Sequence, residues 1–247
     1  MSGNDERPAV QDRPAARDRR RALIERVPLF ARLAPEQLDA LTAGTTTKRL
    51  GARERLFHKG DPAAQVYVVA SGRLKVVATS GEGDEVVLNL LDAGEVVGEL
   101  PLLVGGQRTA TVTALEPSEL VVLERREFLR FLREHPEAAV ELLAVLAERI
   151  VRLSDYVEDT VFLGVAARIA KKLLLLAEQF GEDVDEGVHV SVRLSQGELA
   201  NFVGTTRETV NKQIRAWSDG DIVHMEAGSI TIRRRDELER LAGLVVS

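Results

Sequence analysis

The chain has 247 residues, of which 45% are hydrophobic and 29% charged, and its formal net charge is −6. This is an ordinary globular composition, and the length suits one large domain or two average ones. The absence of cysteine excludes disulfides, iron–sulfur clusters, thiolate zinc sites and cysteine nucleophiles.

The acidic balance does not advertise nucleic-acid binding, so such a function has to rest on local features. Four histidines, His58, His135, His189 and His224, are too scattered to suggest a metal site. No run approaches the roughly 18–20 apolar residues of a membrane span, so a cytoplasmic protein without a membrane partner is expected.

Residues 1–20 are mostly Pro, Asp, Arg and Ala and are expected to form a disordered leader. From Arg21 to Ala43 the apolar residues Leu23, Val27, Leu33, Leu38 and Leu41 follow helical spacing, broken at Pro28 and Pro35. Between Thr45 and Glu124 the period shortens. Apolar runs at Val66–Val69, Leu74–Val77, Val86–Leu91, Val96–Val97, Thr111–Ala114 and Leu120–Leu123 are separated by turn residues such as Ser71–Gly72, Gly81–Asp84 and Gly105–Gly106. This pattern predicts a β-sandwich or barrel of about 80 residues.

After Arg125 the helical period returns. Phe128, Leu129 and Leu132 mark a short helix ending near His135–Pro136. Then Ala139, Leu143, Leu146, Ile150, Leu153, Val157 and Thr160 recur in alternating steps of four and three. That is an a/d seam, which predicts a parallel homodimeric coiled coil; packing of the helix on the β-domain is the alternative. Phe162, Leu163 and Gly164 break the register and form a candidate hinge. Ile169–Phe180 reads as another amphipathic helix, 182–187 as an acidic loop and Val188–Val192 as a short strand.

Leu194–Val203 and Thr206–Ser218 read as two short helices joined through Gly204. Each has an S/T-x-x-E capping box, Ser195 with Glu198 and Thr205 with Glu208. Leu199, Val203, Val210 and Ile214 would lock them together as a helix-turn-helix. Arg207, Glu208, Asn211 and Lys212 cluster on the polar side of the second helix, where such a motif reads base edges, and Thr206 and Thr209 suit phosphate contacts. Ile222–Met225 and Ser229–Ile232 predict a β-hairpin wing followed by three arginines. Against DNA binding, residues 186–247 carry eight basic and nine acidic side chains, so a protein-interaction module competes.

Three segments in order resemble the cyclic-AMP receptor protein/fumarate-nitrate regulator family of bacterial transcription regulators. They are the cassette Gly98-Glu99-Leu100 with Arg108-Thr109-Ala110, the hinge segment from Phe162 to Ala170, and the string from Val203 to Lys212. The resemblance covers about residues 21–242. It implies an α+β fold with an N-terminal cyclic-nucleotide-binding β-barrel (jelly-roll-like, 21–135), a dimerisation helix (136–162) and a C-terminal winged helix-turn-helix (163–247).

The implied effector is a cyclic nucleotide, cAMP first and cGMP second, with no metal, haem or iron–sulfur cluster. A cyclic phosphate needs a cation, backbone amides and an acceptor for the ribose hydroxyl. Arg108 supplies the fork, Gly98 opens a short helix toward the anion, Glu99 accepts from the 2′-hydroxyl, and Thr109 and Ala110 offer amides. A structural Glu99–Arg108 pair in an effector-independent regulator is the rival reading.

Two departures stand out. Leu153 and Ser154 align with the family's base-contacting polar pair, yet Leu153 cannot hydrogen-bond, a loss of about 1 kcal/mol. Gly164 replaces a frequent Asp cap, at a cost of a few tenths of a kcal/mol. The implied partners are a palindromic TGTGA-like DNA operator, a second copy of the chain and RNA polymerase. Arg207, Glu208 and Lys212 align with base-reading positions, and Gln196 stands where some relatives place a phosphate-binding Arg. No nucleophile–base spacing supports an enzyme.

Overall fold

The computed structural model describes residues 14–30, 33–81, 85–226 and 228–244. Residues 1–13, much of the expected leader, and residues 82–84 of the expected Gly81–Asp84 turn lie outside the described residues. The chain divides into two units, residues 1–76 with 89–145 and residues 77–88 with 146–247.

Helix α1 (Pro14–Glu25) begins inside the stretch expected to be a disordered leader. The expectation weighed composition alone. Arg19 reaches the largely buried carboxylate of Glu119 at 2.7 Å, and Ile24 is fully buried. A single 3₁₀ turn at Pro28–Phe30 leads to α2 (Pro35–Ala43), so both prolines break the helix as expected.

The β-domain then follows: β1 (Thr45–Leu50), β2 (Arg55–Phe57), β3 (Gln65–Ser71), β4 (Leu74–Thr79), β5 (Glu85–Leu91), β6 (Val96–Val97), α3 (Leu100–Val104), β7 (Thr111–Ala114) and β8 (Ser118–Glu124). One sheet has the order β1-β8-β3-β6 and the other β2-β7-β4-β5. The architecture is therefore a two-sheet, jelly-roll-like arrangement and not one closed barrel. In the first sheet β8 lies between β1 and β3, antiparallel to both, and is buried from Ser118 to Leu123. A strand buried on both faces reads as a continuous apolar run, which is what Leu120–Leu123 is. Leu50, Leu56, Tyr67, Val69, Leu74, Leu91, Val97, Val112, Leu120 and Val122 form the core.

Helix α4 (Arg125–Glu134) starts directly at the end of β8, and α5 (Pro136–Phe162) follows after His135. Only Ala138 and Leu142 of the 27 residues of α5 are buried. The seam residues Leu143, Ile150, Leu153 and Val157 are each more than half exposed, and Leu146 is half-buried.

The second unit continues with α6 (Val165–Phe180), β9 (Gly181–Val184), β10 (Gly187–Val190), α7 (Gln196–Val203), α8 (Arg207–Asp219), β11 (Val223–Glu226), β12 (Ser229–Ile232) and α9 (Arg235–Leu241). Its sheet has the order β11-β12-β10-β9. The expected acidic loop is partly strand: β9 pairs antiparallel with β10. All four β9 residues are exposed, so the sequence has no apolar alternation to reveal it. Ala227, in the wing turn, lies outside the described residues. The buried face of α6, from Ile169 to Phe180, packs on α7, α9, β9 and β10.

Candidate functional site

The cassette residues converge in the first unit. Arg108, in the loop before β7, is 4% exposed. Its guanidinium lies 4.2 Å from the ring centroid of Phe57 on β2 and 5.5 Å from that of Tyr67 on β3. Each β-sheet of the domain thus supplies one aromatic side of the slot. Nη1 donates to Gly98 O at 2.9 Å and Nη2 to Gln65 O at 2.7 Å. Nε is buried without a hydrogen-bond partner.

Burial pushes the guanidinium below its ordinary pKa, opposed by the Tyr67 hydroxyl, Asp61 and Glu99. Burial likewise raises the Tyr67 phenol; Arg108 opposes this and Glu124 adds to it. Two of the guanidinium nitrogens are held by backbone carbonyls, and the Glu99 carboxylate acts on the same cation through its charge. A cation held by neutral acceptors keeps its charge for an incoming anion.

Gly98 has φ +84, and a Cβ there would overlap Arg108 Nη1 and approach Cζ to 3.3 Å. Glycine is needed at this position for both reasons. Gly98 does not open the helix. Glu99, 1% exposed, is the N-cap of α3, and its carbonyl accepts from the amides of Leu102 and Leu103. Pro101 has no N–H, so the first turn of α3 presents few free amides. Leu100 and Thr109 are exposed and Ala110 is buried.

Phe57, Tyr67 and Gln65 escaped the sequence reading. The available signal was an aromatic residue inside the apolar run of β3, one of only two tyrosines in the chain.

Leu153 and Ser154 belong to the second unit. Leu153 is 54% exposed, and the Ser154 hydroxyl donates to Ile150 O at 3.0 Å, leaving its oxygen lone pairs as acceptors. At the hinge, Phe162 is exposed and Leu163 half-buried. Gly164 is the N-cap of α6 in extended backbone, and its carbonyl takes the amide of Arg168. Lys171 on α6 pairs with Asp159 at 2.6 Å, and Arg168 donates to Thr160 O.

The helix pair is capped largely as expected. Ser195 Oγ accepts from Glu198 N and the Glu198 carboxylate accepts from Ser195 N. Gly204 turns the chain with φ 64 and ψ 52. The second cap is Thr206, not Thr205: Thr206 Oγ1 accepts from Thr209 N, while the Thr205 amide closes α7 onto Ala200 O. A Schellman-type turn uses the residue after the glycine in this way, which moves the cap one position on.

Leu199, Val203, Val210 and Ile214 are buried with Phe202 and Trp217. Arg207, Glu208, Thr209 and Lys212 are exposed on the start of α8. The half-buried Asn211 accepts from Gln196 Nε2 at 3.2 Å, which ties the two polar faces together. The backbone amide of Glu208 and the Thr206 hydroxyl hold the Glu208 carboxyl below its ordinary pKa, so it stays an acceptor. Arg233 is engaged by Asp221 and Glu186.

Comparison with known proteins agrees with this geometry. The cyclic nucleotide-binding domain family matches residues 47–135, and the Crp-like helix-turn-helix domain family matches residues 167–241. The chain is 30% identical over 220 residues to the CRP-like cAMP-activated global transcriptional regulator of Mycobacterium tuberculosis, covering 89% of this chain and 98% of that one. It is 33% identical to the cyclic AMP receptor protein of Thermus thermophilus, covering 87% and 96%. Among solved structures, the c-di-GMP responsive global regulator CLP of Xanthomonas campestris matches with a TM-score of 0.69 at 24% identity, covering 77% and 94%, a likeness of fold. The chain belongs to the cyclic AMP receptor protein family of DNA-binding transcription regulators, which are not enzymes.

Proposed function

We propose that this protein is a homodimeric, sequence-specific regulator whose DNA affinity is set by a cyclic nucleotide, cAMP in the first place, bound between Glu99 and Arg108. The observation that carries the reading is the state of Arg108: buried, clamped by two aromatic rings, with Nη1 and Nη2 on backbone carbonyl oxygens. A cyclic phosphate is a monoanion with two exocyclic oxygens and matches that planar fork. Gly98, Leu100, Thr109 and Ala110 shape the slot, and Ser154 meets the base. Leu153 takes the place of a base-contacting hydroxyl, which leaves cGMP as the second candidate.

The seam Leu143, Leu146, Ile150, Leu153 and Val157, more than half exposed at all but Leu146, supports the dimer, because a soluble chain seldom leaves such a stripe in water. Two copies of α8 spaced by about 34 Å then read a palindromic, TGTGA-like operator. Arg207, Glu208 and Lys212 face base edges, and Thr206, Thr209, Asn211 and Gln196 position the backbone. Phe162, Leu163 and Gly164 form the hinge between effector and DNA. RNA polymerase is the downstream partner, in the cytoplasm. Among the described residues no helix is long and apolar enough to cross a membrane.

The test is calorimetric titration with cAMP and cGMP, paired with DNA gel-shift. Micromolar binding that Arg108→Ala abolishes, together with nucleotide-dependent DNA affinity, is expected. Sequence-specific DNA binding by a protein that takes up neither nucleotide would overturn the effector half of the reading.

A further inference from the structure

Gln65, at the start of β3, stands where the pocket meets the first turn of α4. Its backbone carbonyl accepts from Arg108 Nη2 at 2.7 Å. Its side-chain Oε1 accepts from the Tyr67 hydroxyl at 3.0 Å, and Tyr67 is itself one side of the Arg108 slot. Its Nε2 donates to Glu124 Oε1 at 2.6 Å.

Glu124 is the last residue of β8 and the N-cap of α4. Two further bonds bind the same junction: Arg125 N donates to Ala64 O at 2.8 Å, and Arg125 Nε to Leu102 O of α3 at 3.2 Å. One residue, His135, separates α4 from α5, the helix that carries the seam and ends at the hinge.

We propose that Gln65 is the positioning residue through which occupancy of the cassette reaches α4. Arg108 has two of its donors on backbone carbonyls, and a phosphate that takes its fork competes with the Gln65 carbonyl. Strand β3 and the Tyr67 ring then readjust around Gln65, and its side chain passes the change to Glu124 at the helix cap. Glu124 and Gln65 are direct cross-strand partners, so a small displacement of one is felt by the other. The link lies on a single backbone carbonyl and a single side-chain amide, which makes it separable by mutation: replacing the side chain leaves the carbonyl for Arg108. This inference rests on the nucleotide reading above and adds the route by which the signal leaves the pocket.

The experiment compares wild type, Gln65→Ala, and the exchanged pair Gln65→Glu with Glu124→Gln. Each is measured for cAMP affinity by calorimetry and for operator DNA affinity with and without cAMP. Gln65→Ala is expected to keep cAMP affinity within about threefold and DNA affinity without cAMP unchanged. The cAMP-induced gain in DNA affinity should fall about fivefold, the size of one net hydrogen bond. The exchanged pair restores donor and acceptor in swapped order and is expected to recover most of the gain.

An unchanged gain in Gln65→Ala overturns the inference while leaving the nucleotide reading in place. A Gln65→Ala protein that loses cAMP affinity and cAMP-induced gain together also overturns it, because the residue would then serve the pocket and not its output. A wild type that binds no cAMP refutes the nucleotide reading itself.

Discussion

Gly98→Ala separates what backbone strain costs from what displacement of Arg108 costs. Gly98 has φ +84, and an alanine forced there costs about 1–2 kcal/mol. Its Cβ would also overlap Arg108 Nη1. The guanidinium cannot step aside freely, since Phe57 lies 4.2 Å from it and both its Nη atoms are bonded. Moving it would give up one or two of the proposed charged hydrogen bonds to phosphate, each worth about 1.5–3 kcal/mol. The expected loss in cyclic-nucleotide affinity is therefore about 10- to 150-fold for a single bond.

Gly105→Ala is the control. It has nearly the same φ, +81, with nothing within 4 Å of the added Cβ. With ψ 156 it lies in an essentially glycine-only region, so the change should cost about 1–3 kcal/mol in stability and leave affinity unchanged. Calorimetry gives the affinities and thermal melting the stabilities. If Gly98→Ala binds as tightly as wild type, or Gly105→Ala weakens binding equally, the claim that Gly98 makes room for Arg108 is wrong.

Three other outcomes are expected. Lys172 lies over the Phe202 ring at 4.3 Å, and burial first, then Arg152, pulls its pKa from 10.5 down to about 8. The fold disfavours its charged form, so stability should rise as pH climbs from about 8 to 10.5, by at most about 3 kcal/mol. Lys172→Met should accordingly raise the melting temperature at pH 7 and flatten that rise, and a lower melting temperature would contradict the argument. Ile150→Asp puts a charge on the exposed seam; if the seam holds the proposed dimer, sedimentation should find dimer in the wild type and monomer in the variant, and an unchanged dimer would move the interface elsewhere. Arg207→Ala should lower affinity by about 1–3 kcal/mol and relax preference at one base pair of each half-site. Uniform weakening across operators, read by gel-shift, would make Arg207 a phosphate contact only.

The β-domain strands were readable because burial imprints itself on local pattern. The runs at Val66–Val69 and Leu120–Leu123 fall inside β3 and β8. The Ser195–Glu198 box and Gly204 were readable because capping and a left-handed turn are local chemistry. Strand β9 was not, since its exposed residues are ordered by pairing with β10 and not by burial. The N-terminal residues from Pro14 onward were misjudged on composition, because the carboxylate that holds Arg19 lies 100 positions away. The shift of the second cap to Thr206 depended on how α7 closes, which competing local motifs leave open.

The pocket divides in the same way. That Gly98, Glu99 and Arg108 lie together was legible as a motif, and the exposed apolar stripe of α5 was legible in its a/d spacing. How Arg108 is held was not legible: Phe57, Gln65 and Tyr67 reach it from two different sheets, and the carbonyls it bonds belong to residues 10 and 43 positions away. Periodicity and capping are short-range and survive in one dimension. The partners of a buried charge are chosen by strand pairing and sheet packing, and those exist only in the folded chain.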